Sequence, residues 1–329
     1  MCQYSATDGR IGDWHHAHLT SFITGLPGLV MVEATAVTPQ GRISIACPDL
    51  RNDENANAFT PIINFAHKHN VKMGIQLAHA GRKASTMRPW DDHLIASPQE
   101  GGWQPISASP IAYPKYQTPH AISIAEIHQL IRDYQTAAKR AVNAGFDLIE
   151  IHAAHGYLIH QFYSPLTNQR TDDYGGSFEN RIRLLLEITK AIREVIPQTM
   201  PLFVRISASD WVPGGWDISD SIQLAQKLKP LGIDLIDVSS GGNSPDQKIE
   251  LKPGYQVHFS EAIKSQADIP TVAVGLITEP EQAQEIIATH KADAVMLARA
   301  MLRNPRWPLH AATKLNYPLE WPVQLMRGK

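Results

Sequence analysis

Short runs of consecutive apolar residues recur along the chain and alternate with longer stretches in which apolar residues follow a helical period. Continuous apolar runs of this length are typical of parallel strands that are covered by helices on both faces. The runs occupy residues 29–33, 72–77, 147–152, 202–206, 235–238, 271–274 and 294–297. The pattern therefore predicts seven parallel strands separated by helices.

The stretches between the runs carry signals for the ends of helices. Ser123 lies three residues before Glu126, which predicts a capping box, and Gly145 predicts the end of the same helix. Residues 278–281 predict a second capping box with a proline in the first turn. The other predicted boundaries are two N-caps and one helix end, at Ser177, Asp217 and Gly232.

Repeated strand–helix units without a change of composition predict an α/β fold, namely one (βα)₈ TIM barrel over residues 1–329. A closed barrel needs one strand more than the seven runs. We therefore expect its first strand upstream of Met1, so that the printed chain begins near the end of that strand. Residues 82–120 are rich in Pro, Ser and Trp, which predicts a loop excursion over the barrel mouth; a packed surface loop is the alternative.

Composition narrows the classes of partner. The formal net charge is −2 with no long run of like charge, so neither nucleic acid nor an anionic membrane surface is an expected partner. No apolar stretch is long enough to span a bilayer, and the first residues lack a signal-peptide pattern. Cys2 and Cys47 are too few for a disulfide framework or an iron–sulfur cluster, which favours a cytoplasmic protein.

Candidate functional residues lie at the ends of the predicted strands. In a barrel of this kind, functional side chains gather at the carboxyl ends of the strands and in the loops that follow. Gln76 and Arg205 lie near the ends of the second and fourth runs, and Gly275 and Arg299 follow the last two. The segment 152–157 follows the third run and carries two histidines and a tyrosine.

His152 and His155 stand three residues apart directly after a strand, so their rings can converge on one small space. Such a pair can ligate a metal, donate hydrogen bonds to a carbonyl oxygen that gains negative charge, or serve the structure alone. The nearby Tyr157 and the place at a barrel mouth favour a function. The absence of a third ligand at suitable spacing disfavours a metal.

Gly275 and Arg299 follow consecutive strands, where barrels commonly bind phosphate. Glycine allows an anion to approach the backbone closely, and arginine offers a fixed pair of donors. Together they favour a phosphorylated ligand. The GxGxxG segment of a nicotinamide-binding βαβ unit is absent.

These residues stand in segments that resemble the old yellow enzyme family of flavin oxidoreductases, and most closely its bacterial class of xenobiotic reductases and thermophilic-like ene-reductases. The resemblance runs essentially end to end. The segments that carry it are residues 1–4, 32–37, 76–83, 145–158 and 168–177.

The resemblance implies an FMN-bearing TIM barrel that acts as an NAD(P)H:flavin oxidoreductase, an NADPH dehydrogenase. The residues that it implies against the flavin ring are Met1, Cys2, Ala34, Gln76 and Arg205. The residues that it implies at the phosphate are Gly275, Ala298 and Arg299. Other interpretations stay open: Gln76 as a partner of backbone groups, Cys2 as a small apolar residue, and Arg205 as an ion-pair partner of Glu150 or Asp210.

The resemblance also implies a reaction and its residues. NAD(P)H reduces FMN and dissociates, and hydride then passes to the β-carbon of an enone, an enal or a similar small acceptor. His152 and His155 would hold the carbonyl oxygen, Tyr157 would donate a proton to the α-carbon, and Tyr4 would add a hydrogen bond. In a homodimer or homotetramer, Arg327 would reach the neighbouring subunit's site, with a solvated tail arginine as the alternative.

Three further interpretations compete with this one. A 2,4-dienoyl-CoA-type reductase would carry a cysteine cluster, which the sequence lacks. A metal-dependent hydrolase would use the histidine pair as ligands, and a flavin storage or sensing protein would bind FMN without turnover.

Overall fold

The computed structural model describes residues 1–329, and its strands follow the apolar runs closely. The strands are β1 (Leu29–Ala36), β2 (Lys72–Ala78), β3 (Ile106–Ser107), β4 (His120–Ala121), β5 (Leu148–Ala153), β6 (Leu202–Ser207), β7 (Leu235–Ser239), β8 (Thr271–Ala273) and β9 (Ala294–Val295). All seven strands predicted from the apolar runs are confirmed.

Helices alternate with these strands along the chain. The α-helices are α1 (Asp13–Ile23), α2 (Asp53–Asn57), α3 (Thr60–Lys68), α4 (Ile124–Ala144), α5 (Leu158–Tyr163), α6 (Phe178–Arg193), α7 (Ile218–Leu228), α8 (Val257–Ala267), α9 (Pro280–Ala288), α10 (Arg299–Arg303) and α11 (Trp307–Lys314). Five short 3₁₀ turns are Pro39–Gly41, Gly81–Lys83, Pro98–Glu100, Lys229–Leu231 and Val323–Gly328. No helix is both long and apolar enough to cross a membrane.

One curved sheet joins seven of the strands in the order β1-β2-β5-β6-β7-β8-β9, and every neighbouring pair is parallel. The strand–helix alternation of the predicted barrel is thereby confirmed. Because the strands are parallel, their carboxyl ends all meet at one rim, which is called the mouth below.

The strand register brings polar side chains together inside the sheet. Gln76 on β2 pairs with Glu150 on β5, and Arg205 on β6 pairs with His152 on one side and Asp237 on the other. Four polar or charged residues of four neighbouring strands therefore lie directly beneath the end of β5. Apolar residues occupy most of the remaining interior, in a continuous cluster of 56 buried residues.

Most predicted helix ends are confirmed. The Ser123 hydroxyl accepts a hydrogen bond from the Glu126 N–H at 3.3 Å, and Glu126 accepts one from the Ser123 N–H at 2.8 Å. This helix ends at Gly145 with a φ of 99°. The other confirmed boundaries are the N-caps Ser177 and Asp217 and the left-handed Gly232 after the turn that follows α7.

The second capping box is wrong. Helix α9 has Glu279 as its N-cap, in extended conformation, and no side chain caps it. The physical reason is Pro280, because a proline disfavours helical geometry at the residue before it and so moves the cap to Glu279. Thr278 instead donates its backbone N–H to Gln282 Oε1 at 3.1 Å.

The excursion 82–120 contains more regular structure than a plain loop. It contains the short parallel pair β3–β4 and lies against the mouth, where the Arg82 guanidinium donates to the Ile111 carbonyl at 3.1 Å. Trp103 Nε1 donates to the Gln40 carbonyl at 2.8 Å and ties the excursion to the loop after β1.

Candidate active site

The turn between β5 and α5 brings three predicted site residues into contact. His152 is the next-to-last residue of β5. Its ring lies edge-on to the ring of His155, with 5.3 Å between the centroids. The Tyr157 ring lies 5.0 Å from the His152 ring, also edge-on. Tyr157 is the N-cap residue of α5, so its ring is fixed where the helix begins. The structure thus places both histidines and the tyrosine in one cluster.

The turn has an unusual backbone, because His155 and Gly156 both have positive φ, at 60° and 72°. A non-glycine residue in this region is strained and needs support from its surroundings. Two hydrogen bonds supply that support: the His155 N–H donates to Ser207 Oγ at 2.8 Å, and the Gly156 N–H donates to His160 Nδ1 at 3.0 Å.

Both histidines of the cluster are neutral. Burial and the nearby Arg205 charge lower the pKa of His152 and of His155 well below the ordinary value. His152 Nδ1 accepts the Ala154 N–H at 3.3 Å, which places the His152 proton on Nε2. His155 Nε2 is paired with Ser239 Oγ at 2.7 Å. His152 Nε2 and His155 Nδ1 are therefore the ring nitrogens without a partner in the chain.

Two features make glycine the suitable residue at position 156: its positive φ and the lack of space for a side chain there. A Cβ added at this residue would overlap the Gly242 carbonyl oxygen and lie 2.7 Å from the Asn243 Cα atom. We expect Gly156→Ala to displace the turn and lower the activity that this cluster supports, with a cost in unfolding free energy of about 1–3 kcal/mol. Urea denaturation and steady-state kinetics measure the two effects. Gly101→Ala is a matched control, because Gly101 has a φ of 87° and an added Cβ there meets open space.

If Gly156→Ala and Gly101→Ala lowered both quantities equally, positive φ alone would account for the effect. The close packing of the turn against Gly242 would then have no special importance.

A buried pair supports the turn from below. His160 Nε2 donates to Asp210 Oδ1 at 2.8 Å, and both side chains are fully buried. Asp210 also accepts hydrogen bonds from Ser164 Oγ at 2.5 Å and from the Trp216 N–H at 2.9 Å. Burial alone would raise the pKa of Asp210, but these contacts together lower it. His160 Nδ1 is then free to accept the Gly156 N–H.

Arg82 and Lys83, which follow β2, tie three loops of the mouth together. Lys83 Nζ donates to the His155 carbonyl at 3.0 Å and to the Gly242 carbonyl. Arg82 Nη2 donates to the Asn243 carbonyl at 2.5 Å. Burial, together with the Arg82 charge, lowers the pKa of Lys83 to about 7. The ammonium also lies 4.4 Å from the centroid of the Tyr113 ring, which belongs to the excursion.

Beneath the histidines, four polar residues form a layer, called the acid layer below: Gln76, Glu150, Arg205 and Asp237. Gln76 Nε2 donates to Glu150 Oε1 at 2.6 Å, and Arg205 Nε lies 3.2 Å from Asp237 Oδ2. The sequence left open the interpretation that Arg205 forms an ion pair with Glu150 or Asp210. The structure instead gives it Asp237, because Asp210 is engaged by His160.

The predicted phosphate residues lie on the other side of the mouth. Gly275 follows β8 with a φ of 109°, and a Cβ there would lie 2.6 Å from Gln256 Nε2 and 3.0 Å from the Tyr255 ring. Ala298 and Arg299 are exposed at the start of α10. Burial raises the pKa of Tyr255, and the charges of Arg299 and Arg205 oppose that rise.

The first residues of the chain lie against β1. The Gln3 N–H donates to Glu33 Oε2 at 2.9 Å, which brings Met1, Cys2 and Tyr4 beside the strand that contains Ala34. Met1 is largely exposed and Cys2 is half-buried. The Tyr4 ring lies edge-on to the exposed Trp90 ring of the excursion, 5.9 Å away.

Arg327 is not brought to the mouth. It lies exposed in the terminal turn Val323–Gly328, and no hydrogen bond or ion pair joins its side chain to the rest of the chain.

The side chains at the mouth fit an FMN. The Nη atoms of Arg205 make no hydrogen bond in the chain, so they are available to a polar ring edge. Gly275 leaves its backbone open to close approach, and Arg299 supplies a cation for a phosphate. No group of three or more His, Cys, Asp or Glu side chains in residues 1–329 is placed to hold a metal ion.

Sequence reasoning did not single out several residues that shape this site. Ser239 fixes the ring of His155, Gln256 lies beside Gly275, and Asp237 faces Arg205. Ser239 ends β7, so the rule that strand ends carry function would have found it. Asp237 lies one residue from the end of its apolar run, as Gln76 and Arg205 do, so the same rule would have found it as well. Gln256 offered no comparable signal.

Known proteins place the chain in a family. Residues 1–317 match the profile of the NADH:flavin oxidoreductase / NADH oxidase family. The chain is 47% identical over 330 residues to an NADPH dehydrogenase of Geobacillus sp. (strain WCH70), and the alignment covers 100% of this chain and 92% of that protein.

Solved structures agree with this result. The structure of morphinone reductase in complex with tetrahydroNAD matches with a TM-score of 0.78 at 25% identity, over 98% of this chain and 86% of that one. The old yellow enzyme homologue from Zymomonas mobilis matches with a TM-score of 0.74 at 28% identity, over 97% of this chain and 89% of that one. The chain belongs to the NADH:flavin oxidoreductase / NADH oxidase family and is an FMN-dependent NAD(P)H oxidoreductase of the old yellow enzyme type.

Proposed function

We propose that the protein is an ene-reductase, which reduces the carbon–carbon double bond of α,β-unsaturated carbonyl compounds. The observation that carries this proposal is the pair of unpartnered ring nitrogens, His152 Nε2 and His155 Nδ1, beside the hydroxyl-bearing ring of Tyr157. Two neutral donors side by side suit an uncharged oxygen that becomes negative during reaction.

The bound FMN supplies the hydride chemistry, and the protein orients and polarises the acceptor. His152 Nε2–H donates to the carbonyl oxygen of the substrate. His155 can donate from Nδ1 only when Ser239 donates its hydroxyl proton to His155 Nε2. Ser239 therefore permits this tautomer of His155 when its hydroxyl donates to Nε2 and not to Gln256 Oε1, which lies 3.5 Å away.

Tyr157 is the proposed proton donor to the α-carbon. Burial raises the pKa of its hydroxyl well above the ordinary value, so the group carries its proton at neutral pH. Its edge-on contact with His152 holds the ring beside the space where the carbonyl compound would lie.

The proposal is tested by two absorbance measurements under anaerobic conditions. NADPH or NADH is expected to bleach the flavin band of the purified protein, and 2-cyclohexenone is then expected to restore it. Bleaching without reoxidation by any enone or enal would contradict the ene-reductase proposal and support only an NAD(P)H oxidoreductase activity. A flavin that no nicotinamide bleaches would favour the storage or sensing protein instead.

Tyr157→Phe is expected to slow the reoxidation by 2-cyclohexenone about 100-fold or more, because general acids contribute roughly 10²–10⁴-fold. Flavin reduction by NADPH is expected to change little, since that step needs no proton from Tyr157. Stopped-flow absorbance separates the two steps. Tyr134→Phe is the control, because the buried Tyr134 hydroxyl on α4 makes no hydrogen bond. An unchanged reoxidation rate in Tyr157→Phe would assign the proton to another donor.

Residues 1–329 form, in this proposal, one catalytic domain in which the excursion 82–120 covers the mouth. The contacts of Arg82 with Ile111 and of Tyr4 with Trp90 support that role.

We also propose a homodimer or homotetramer in which the exposed Arg327 reaches a neighbouring subunit. The free thiols of Cys2 and Cys47 suit a cytoplasmic enzyme.

A further inference from the structure

The acid layer contains more acidic groups than cations. Glu150 on β5 and Asp237 on β7 flank Arg205 on β6, and both carboxyl groups are fully buried. Gln76 is the remaining member and is uncharged. Arg205 is therefore the one cation that faces two buried carboxyl groups.

The hydrogen-bond pattern of the two acids is incomplete if both are ionised. Glu150 Oε1 accepts from Gln76, but Glu150 Oε2 and both oxygens of Asp237 receive no hydrogen bond from any donor of the chain. The two carboxyl groups lie within hydrogen-bonding reach of each other. A proton on one of them would turn that group into a donor for the other, and the unpaired oxygens would become partners.

We propose that Glu150 and Asp237 share one proton inside the barrel, and that this protonated pair positions Arg205 and Gln76 toward the FMN. With the shared proton, the single remaining negative charge balances Arg205, and the layer is neutral. Two ionised carboxylates in contact would carry an excess negative charge in a buried site, which is unfavourable. The role toward FMN rests on the function proposed above.

The titration of the two acids agrees with this arrangement. Burial, and then the charge of Asp237, raises the pKa of Glu150 to about 8, while burial raises that of Asp237. Arg205 and Asp237 are the charged groups that face Glu150, and His152 is neutral. At neutral pH the pair therefore retains a proton that two isolated carboxyl groups would have lost.

Infrared spectroscopy tests the shared proton directly. The wild-type protein at pH 7 is expected to show the C=O stretching band of a buried protonated carboxyl group, and the band is expected to disappear as the pH rises through about 8. Glu150→Gln is expected to lack the band, because Asp237 alone beside Arg205 ionises. The amide oxygen of the glutamine introduced at position 150 can still accept the hydrogen bond from Gln76 Nε2. The hydrogen-bonded arrangement of the acid layer is therefore expected to persist in this variant.

Glu126→Gln is the matched control for the infrared experiment. Hydrogen bonds from Ser123 lower the pKa of Glu126, so this carboxyl group is ionised at pH 7 and the band is expected to persist in the variant. A wild-type protein without the band, or a band that survives in Glu150→Gln, overturns the proposal. The measurement needs no turnover, so it stands even if the protein proves not to be an ene-reductase.

The effect on the cofactor has a separate readout. The wild-type protein is expected to bind FMN about tenfold more weakly at pH 9 than at pH 7, because the acid layer gains a negative charge. Tenfold is the change in an equilibrium constant that corresponds to one pKa unit. Glu150→Gln is expected to show little of this change. Lys83 also titrates in this range, but it does so in both proteins and cancels in the comparison. An equal pH dependence in both, by flavin fluorescence titration, would refute the role of the pair toward FMN.

Discussion

Replacing His152 with alanine is expected to slow the reduction of 2-cyclohexenone about 100- to 1000-fold, the usual cost of removing one donor from an oxyanion site. FMN binding is expected to change far less, because His152 Nε2 faces the proposed substrate and the acid layer below it stays intact. Stopped-flow reoxidation of the reduced enzyme measures the first quantity, and fluorescence titration of the apoprotein with FMN measures the second.

His128→Ala is the control, since His128 is exposed on α4. His152→Asn restores an N–H donor and is expected to recover part of the rate. If His152→Ala instead lost the reoxidation rate and FMN affinity to the same extent, the turn 152–157 would serve mainly the structure.

Replacing Asp210 with alanine is expected to lower the free energy of unfolding by about 3–5 kcal/mol, the cost of breaking a buried pair by removing one partner. The change leaves the His160 Nε2–H, the Ser164 hydroxyl and the Trp216 N–H without an acceptor in a fully buried site. Urea denaturation at pH 7 measures the loss. Asp246→Ala is the control, because Asp246 is exposed, its side chain makes no hydrogen bond or ion pair, and its loss is expected to change stability little.

The pH dependence of stability adds a check on the same residue. Because the folded pKa of Asp210 lies below its ordinary value, its contribution is present above the unfolded pKa of 3.8 and is lost as the pH falls through the folded value. The wild-type protein is therefore expected to lose more stability than Asp210→Ala on acidification below that pH. Parallel acid dependence in the two proteins would contradict the ionised state of Asp210.

The sequence predicts the strands well because each strand is a local apolar run that is buried on both faces. It also predicts which residues reach the mouth, since Gln76, His152, Arg205 and Gly275 all lie at or near strand ends. Those two inferences need only the local pattern and the rule that parallel strands share one rim.

Lateral contacts between distant segments could not be predicted in this way. Lys83 and Gly242 are 159 residues apart in sequence, and His155 and Ser239 are 84 apart. Asp237 interrupts an apolar run, which does not reveal whether it faces Arg205 or solvent. The second capping box failed for a more local reason, since the pattern matched but Pro280 set the conformation of Glu279.

The close packing of the β5 and β7 loops has a consequence for changing the specificity of this enzyme. Gly156 and Gly242 leave no space for a side chain between the two loops, and Lys83 binds a carbonyl of each. A side chain added at Gly156 therefore displaces residues 241–243 as well. Mutant libraries that vary one loop alone should yield mostly inactive clones, whereas libraries that vary both loops together can preserve their fit.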